Sequence, residues 1–373
     1  MEEIHRTLLN YQAEGRSCVV ATVIDVEGSA YRREGARCLI MEEGEVTGIL
    51  SGGCIEEDLR GYAGEVMRTG VSRKVYYDFR AGEDDVWGTG IGCNGAITVW
   101  LESFDPIRYP DAARDLLEDL QKRAETRLPY EAVTVVTSSD PQLCPPGTRW
   151  TRPDGTADNP LGEGRKAGVV PVSLNGVRLE LLVEAITPRP ELIIVGVGDD
   201  ARLLCSMAAM LQWRVSILYH LTDKASKERF PEADDIRIIP RLGFEQADIR
   251  GKYVVVMSHN LELDREAVRK LLTGDVVYLG LVGSKYRLEH ILAHIRAQDR
   301  NFDSGLLDKL YSPVGLDIGA ETPQEIAMSI MAEVTACRKG RSGGSLRSSK
   351  GLGLSAAAHH FPPILPVKES HHV

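Results

Sequence analysis

Residues 191–204, ELIIVGVGDDARLL, decide the fold. Four apolar residues, Leu192 to Val195, run into Gly196-Val197-Gly198, and Ala201 stands three places beyond the second glycine. A short apolar run bounded by glycines reads as a buried strand. Gly196, Gly198 and Ala201 then make a GxGxxA turn into a helix, where the backbone turns tightly and presents free N–H groups. Working outward, strands are predicted at Val215 to Leu218, Arg237 to Ile239, Tyr253 to Met257 and Val276 to Leu281. Helices are predicted over Asp264 to Leu272, Lys285 to Gln298 and Pro323 to Arg338. This alternation predicts an α/β, doubly wound parallel sheet of Rossmann-like type over residues 189–340. The turn's ligand is less legible. Tyr219 and His220 stand where a dinucleotide site carries an acidic residue for the ribose, with Asp223 three places beyond, and Asp199 and Asp200 bring negative charge to the pyrophosphate position. NAD(P), and use of the fold as scaffold or for another ligand, all stay open.

Upstream of Pro188 the grammar differs. A helix is predicted over residues 3–14, then strands at Cys18 to Val26, Ala36 to Met41 and Glu45 to Leu50, and a helix from Ile55 to Met67. Strands follow at Arg73 to Phe79 and Ala96 to Glu102, a helix at 111–127, and strands at Tyr130 to Thr137, Val169 to Leu174 and Arg178 to Ala185. Residues 1–188 thus form a strand-rich α/β domain, with a long surface loop from Ser138 to Gly168. Residues 341–373, rich in Gly and Ser, read as a flexible tail.

The chain's 373 residues suit two domains, and 43% hydrophobic with 26% charged residues suits a soluble globular protein. A formal charge of -10 argues against nucleic acid or an anionic membrane as the main partner. No apolar stretch is long enough to span a bilayer, and the acidic start MEEIHRTLLNYQAEG is unlike a signal peptide. Seven cysteines without a CxxC pair suit reduced thiols in a cytoplasm.

Cys54 follows Ser51-Gly52-Gly53, a bare turn at a helix start, where unpaired N–H groups and the helix dipole favour a thiolate and Glu56 and Glu57 oppose one. Burial as a small core residue is the competing reading. A second glycine-rich loop holds Cys93, Asn94 and Gly95. A third, GSAYRREGAR at 28–37, carries Arg32, Arg33 and Arg37, whose planar guanidinium groups suit phosphate; ordinary surface charge is the bland alternative.

Together these segments resemble the XdhC/CoxI family of xanthine dehydrogenase accessory factors. GSAYRREGARCLI is similar to its GSSPRRPGA segment, SGGCIE to SGGCVE, and GIGCNG to its GLGCGG or GCNG segment. In the second half, His259 and Asp264 in SHNLELD match a TH-x4-D pattern, and YLGLVGSKYR and residues 312–334 follow the family in order. Ala30-Tyr31 and Glu34 depart from it around the Arg pair, as does Tyr219-His220.

The resemblance implies a non-catalytic chaperone that binds molybdenum cofactor (molybdopterin), keeps it available to a cysteine desulfurase, and inserts it into an apo-hydroxylase of the xanthine dehydrogenase type. By the same resemblance Arg32 and Arg33 would meet the pterin phosphate, and Cys54 with Ser51, Gly52 and Gly53 would hold the cofactor. Cys93, Asn94 and Gly95 would form another wall, and His259 and Asp264 would face the cofactor from the second domain, with a helix-capping Asp264 and a satisfied His259 as the alternative. A homodimer fits the family without a signal of its own. The chain holds no iron–sulfur cysteine framework of the kind a xanthine dehydrogenase needs. An NAD(P)-dependent oxidoreductase and a protein-binding adaptor without cofactor contact are the rival classes.

Overall fold

A computed structural model of the chain describes residues 2–53, 55–80, 95–153, 167–299 and 302–346. Cys54, Cys93, Asn94 and the tail from 347 onward lie outside the described residues. Two compact units result, Met1–Arg189 and Pro190–Val373.

In the first unit α1 (Glu2–Glu14) leads into β1 (Cys18–Gly28), β2 (Arg37–Met41) and β3 (Val46–Gly48), and then α2 (Glu56–Thr69). β4 (Arg73–Asp78) and β5 (Gly95–Phe104) complete an antiparallel sheet in the order β3-β2-β1-β5-β4. β1 is apolar on both sides because both faces of this sheet are covered. Val19, Ala21 and Val23 pack with Leu59, Ala63 and Val66 of α2. Cys18 and Val20, pointing the other way, pack with Leu8 of α1 and with Leu116, Leu117 and Leu120 of α3 (Pro110–Glu125). A second antiparallel sheet runs β7-β6-β9-β8, from β6 (Tyr130–Ser138), β7 (Arg149–Pro153), β8 (Ala167–Leu174) and β9 (Val177–Ile186). Ile24 and Trp100 of the first sheet pack against Val136 and Leu182 of the second.

The second unit is a parallel sheet in the order β12-β11-β10-β13-β14-β15. Its strands are β10 (Glu191–Val195), β11 (Arg214–Tyr219), β12 (Asp235–Ile238), β13 (Tyr253–Val256), β14 (Tyr278–Leu281) and β15 (Leu310–Tyr311). This is the Rossmann strand order, and the order reverses between β10 and β13. Period-2 alternation divides the core. Leu192 and Ile194 face α4 (Asp199–Met210) and α7 (Pro323–Arg338), whereas Ile193 and Val195 face α5 (Leu261–Leu272) and α6 (Lys285–Gln298). α7 begins at a capping box in which Thr322 accepts from the Glu325 amide and Glu325 reaches back to the Thr322 amide.

Two expectations need correction. The predicted strand over Glu45 to Leu50 stops at Gly48, since the Leu50 and Ser51 amides donate to the Glu56 carboxylate and are lost to a ladder. Within the predicted loop from Ser138 to Gly168 lies β7, whose RWTRP sequence is mostly exposed and lacks the apolar alternation that announces a strand.

Candidate functional site

Antiparallel pairing brings the 28–37 loop, the turn after Gly48 and Gly95 at the start of β5 to one end of the five-stranded sheet. β1 ends there at Gly28, opposite Gly95 where β5 begins, and β3 ends there at Gly48, opposite Cys38 at the start of β2. The loop after Gly28 and the turn after Gly48 therefore leave the sheet at the end where β5 enters it. Arg32 and Arg33 are exposed, and Arg33 donates to the Gly28 carbonyl at 3.3 Å. Tyr31 beside them is 62% exposed. Arg80, just past β4, joins the same end through Glu27 at 2.8 Å and Asp78 at 2.6 Å.

Arg37 does not belong with these cations. It lies in β2, buried, with both terminal nitrogens on Glu184 of β9 at 2.9 and 2.7 Å. Glu184 also accepts from Arg123 of α3 at 2.8 Å, and Arg123 reaches Asp119 at 2.7 Å. Two guanidinium groups and two carboxylates thus balance inside the unit, and Arg37 is structural rather than a phosphate ligand.

The turn before Cys54 is organised by Glu56. Its carboxylate accepts the Ser51 amide at 2.9 Å, the Leu50 amide at 3.3 Å and the Ser51 hydroxyl. Having donated its proton, the Ser51 oxygen accepts from the Gly53 and Ile55 amides at 3.2 and 3.4 Å. Burial pushes the Glu56 carboxyl up, but these hydrogen bonds outweigh it and hold the group below its usual value. This corrects the picture of a turn with unpaired donors: the amides at 50, 51, 53 and 55 are all engaged. In the sequence Glu56 reads only as an opposing charge; the signal that identifies its role is a carboxylate five residues after a turn serine.

Gly52 and Gly53 are exposed, and a β-carbon on either would meet nothing within 4 Å. Gly53 needs glycine for its φ of +104°, whereas Gly52 is bare without a packing reason among the described residues. Backbone there is open to close approach by a ligand. Gly95 is different. A β-carbon on it would collide with the backbone of Glu27 and Ser29, so its bareness serves the pairing of β5 with β1.

In the second unit the glycine turn is filled from within. A β-carbon on Gly196, at φ +154°, would sit 2.5 Å from the Met257 carbonyl oxygen, so this glycine lets β10 and β13 approach at the switch point. Gly196→Ala is expected to cost about 1–3 kcal/mol, because the obstructing atom is backbone. A thermal melt matching wild type would contradict this. Gly198 is the N-cap of α4, and the two acids that follow it are paired: Asp199 with Arg229 at 3.1 Å and Asp200 with His259 Nε2 at 2.6 Å. His259, at φ +56°, reaches across from the end of β13. The expectation that Asp264 faces a ligand fails on burial. Asp264 is fully buried and accepts from the Ser258 amide and hydroxyl and from Arg287 at 3.0 and 2.5 Å. Asn260, not Asp264, caps α5. At the ends of β11 and β12, Tyr219, His220, Leu242 and Phe244 line a cavity of only about 10 Å³. Among the described residues no group of three His, Cys, Asp or Glu is arranged to hold a metal ion, and no helix is long and apolar enough to cross a membrane.

Comparison with known proteins matches both units. Residues 11–78 match the XdhC and CoxI family, and residues 192–334 match the XdhC Rossmann domain. The chain is 30% identical to a probable xanthine dehydrogenase subunit of Bacillus subtilis (strain 168), over 91% of this chain and 98% of that one. It is 25% identical to the molybdenum cofactor insertion chaperone PaoD of Escherichia coli (strain K12), over 90% of this chain and 89% of that one. A crystal structure of a xanthine dehydrogenase from Bacillus halodurans superimposes with a TM-score of 0.67 at 30% identity, covering 93% of this chain and 98% of the other.

Proposed function

The chain belongs to the XdhC and CoxI family, and on that premise we propose that it carries molybdenum cofactor to an apo-hydroxylase of the xanthine dehydrogenase type. The observation that supports this most is the meeting of the 28–37 loop, the Ser51–Gly53 turn and the start of β5 at one end of a single sheet, with the Gly52-Gly53 backbone open. That arrangement fits an anionic pterin. Arg32 and Arg33 neutralise its phosphate by charge-assisted hydrogen bonds, and Gly52 and Gly53 admit the ring system to backbone distance. Cys54, next in the chain, offers its thiol to the molybdenum or the dithiolene sulfurs. Cys93 and Asn94, next to Gly95, close another wall.

Glu56 shapes this site without touching the cargo. By holding Ser51 it holds the turn from which Cys54 departs, and its negative charge discourages a second anion at the amides it already occupies. The cofactor is kept there for sulfuration by a cysteine desulfurase before transfer, in a reducing cytoplasm where the chain's thiols stay free and in a homodimeric assembly.

Incubation of the purified protein with free molybdenum cofactor, followed by desalting, tests the reading. Wild type is expected to retain molybdenum, and Cys54→Ala to fall to the level of a no-protein control. Equal retention by both would sink the thiol's role. Failure of wild type to retain any, with the hydroxylase still loaded in its presence, would favour an adaptor without cofactor contact.

A further inference from the structure

We infer that the second unit carries a binding site of its own, built from that unit's residues alone, for a phosphorylated planar heterocycle of mononucleotide size. The crevice at the carboxyl ends of the parallel strands is lopsided. On the β11–β12 side, Tyr219, His220, Leu242 and Phe244 leave about 10 Å³, room for a single water. On the other side, between the ends of β13 and β14 and the first turns of α6, lies an open groove of about 480 Å³. That volume is in the range of small-molecule sites. The cavity beside β11 and β12 therefore holds no more than a water, whereas the groove beside β13 and β14 has room for a small molecule.

The groove's chemistry selects the ligand class. Among the described residues its lining contains no carboxylate, while His259, Arg287 and His290 supply nitrogen groups and Ser284 a hydroxyl. The nearby acids are already committed, Asp200 to His259 and Asp264 to Arg287. Such a surface favours an anion with several acceptor oxygens. Tyr286 adds a flat apolar face: it is 70% exposed, and its ring is held edge-on to His290 with centroids 4.3 Å apart. An exposed aromatic ring in the same groove as the Arg287 guanidinium suits a stacked heterocycle that carries a phosphate. His259 is fixed in place by its bond to Asp200, and Arg287 by its two bonds to a fully buried carboxylate, so the donors are preorganised.

The test is calorimetric titration of the full chain with 5′-AMP, 5′-CMP, 5′-GMP, inorganic phosphate and NAD. At least one nucleoside monophosphate is expected to bind, with inorganic phosphate about tenfold weaker or worse. Tyr286→Ala is expected to weaken that binding by about 5- to 150-fold, the range for loss of one base–aromatic stack, and Tyr286→Phe to restore it. Since Tyr286 is exposed, the melting temperature of the alanine variant should not move; if it does, His290→Ala provides the same comparison. Cys54→Ala should leave this binding intact, so that failure here and failure of the molybdenum reading are separable. The inference is overturned if no monophosphate binds at millimolar concentration. It is equally overturned if phosphate binds as tightly as the nucleotides, if Tyr286→Ala binds as wild type, or if NAD binds as tightly as the monophosphates.

Discussion

Replacing Glu184 with alanine is expected to destabilise the first unit by about 3–5 kcal/mol, the cost of removing one partner from a buried ion network. Glu184 accepts from both Arg37 of β2 and Arg123 of α3, so its loss leaves two guanidinium groups facing one remaining carboxylate, Asp119. The side chains of Arg37, Arg123 and Glu184 are at most 6% exposed, and water cannot take the place of the missing acceptor. Glu184→Gln preserves shape and tests charge alone; most of the loss should persist. Hydrogen exchange read separately over peptides of each unit should show protection falling between residues 2 and 186 and unchanged in β10 to α7. Retained protection in the first unit would contradict the assignment.

The same network has a pH signature. Burial alone would raise the Glu184 carboxyl, but the Arg37 and Arg123 charges and hydrogen bonds override it and hold it at about 2, against 4.5 for an ordinary glutamate. A carboxyl whose folded value lies below its unfolded value stabilises the fold fully above the unfolded value. Its contribution therefore holds above about pH 4.5 and is lost as pH falls toward 2. Acid unfolding of wild type in this window should be steeper than that of Glu184→Gln, which has no carboxyl to titrate.

Replacing Asp264 with alanine is expected to cost about 2–4 kcal/mol, at the lower end for a broken buried pair because Arg287 is partly exposed and can turn to water. The larger consequence is local. Asp264 ties the Ser258 amide and hydroxyl, immediately before His259, to Arg287 in the first turn of α6. Removing it frees both walls of the open groove at once. Asp264→Asn keeps an acceptor for Ser258 but loses the charge facing Arg287, and should fall between wild type and alanine. Chemical denaturation followed by far-UV circular dichroism measures the loss; a midpoint unchanged in Asp264→Ala would show that the carboxylate contributes nothing.

Local signals are readable where they close on themselves. α6 and α7 begin and end at the predicted residues, because Ser284 and Thr322 cap helices whose apolar spacing is a property of a few turns. The GxGxxA turn after an apolar run, repeated strand–helix alternation and the order of strong motifs are enough for a Rossmann-like unit behind a strand-rich one. They also carry the family. Exposed β7 and two-residue β15 escape because neither has an apolar period to detect.

What a residue does inside a site is another matter. Arg32, Arg33 and Arg37 look equivalent in sequence, yet only the first two are exposed, since the partner of Arg37 lies 147 residues away on β9. Gly196 and Gly95 read as ligand-facing glycines, and the backbones of Met257, Glu27 and Ser29 show why packing alone requires them. Gly52 looks the same on paper and faces open space. Sequence by itself determined the elements with an apolar period or a cap, their order and the family, since periodicity and capping are set within a few residues of the chain. Tertiary structure alone decided which charges are neutralised, which glycines stay accessible and which groove has room for a small molecule, because burial and Coulomb partners depend on atoms that only folding brings within a few ångströms.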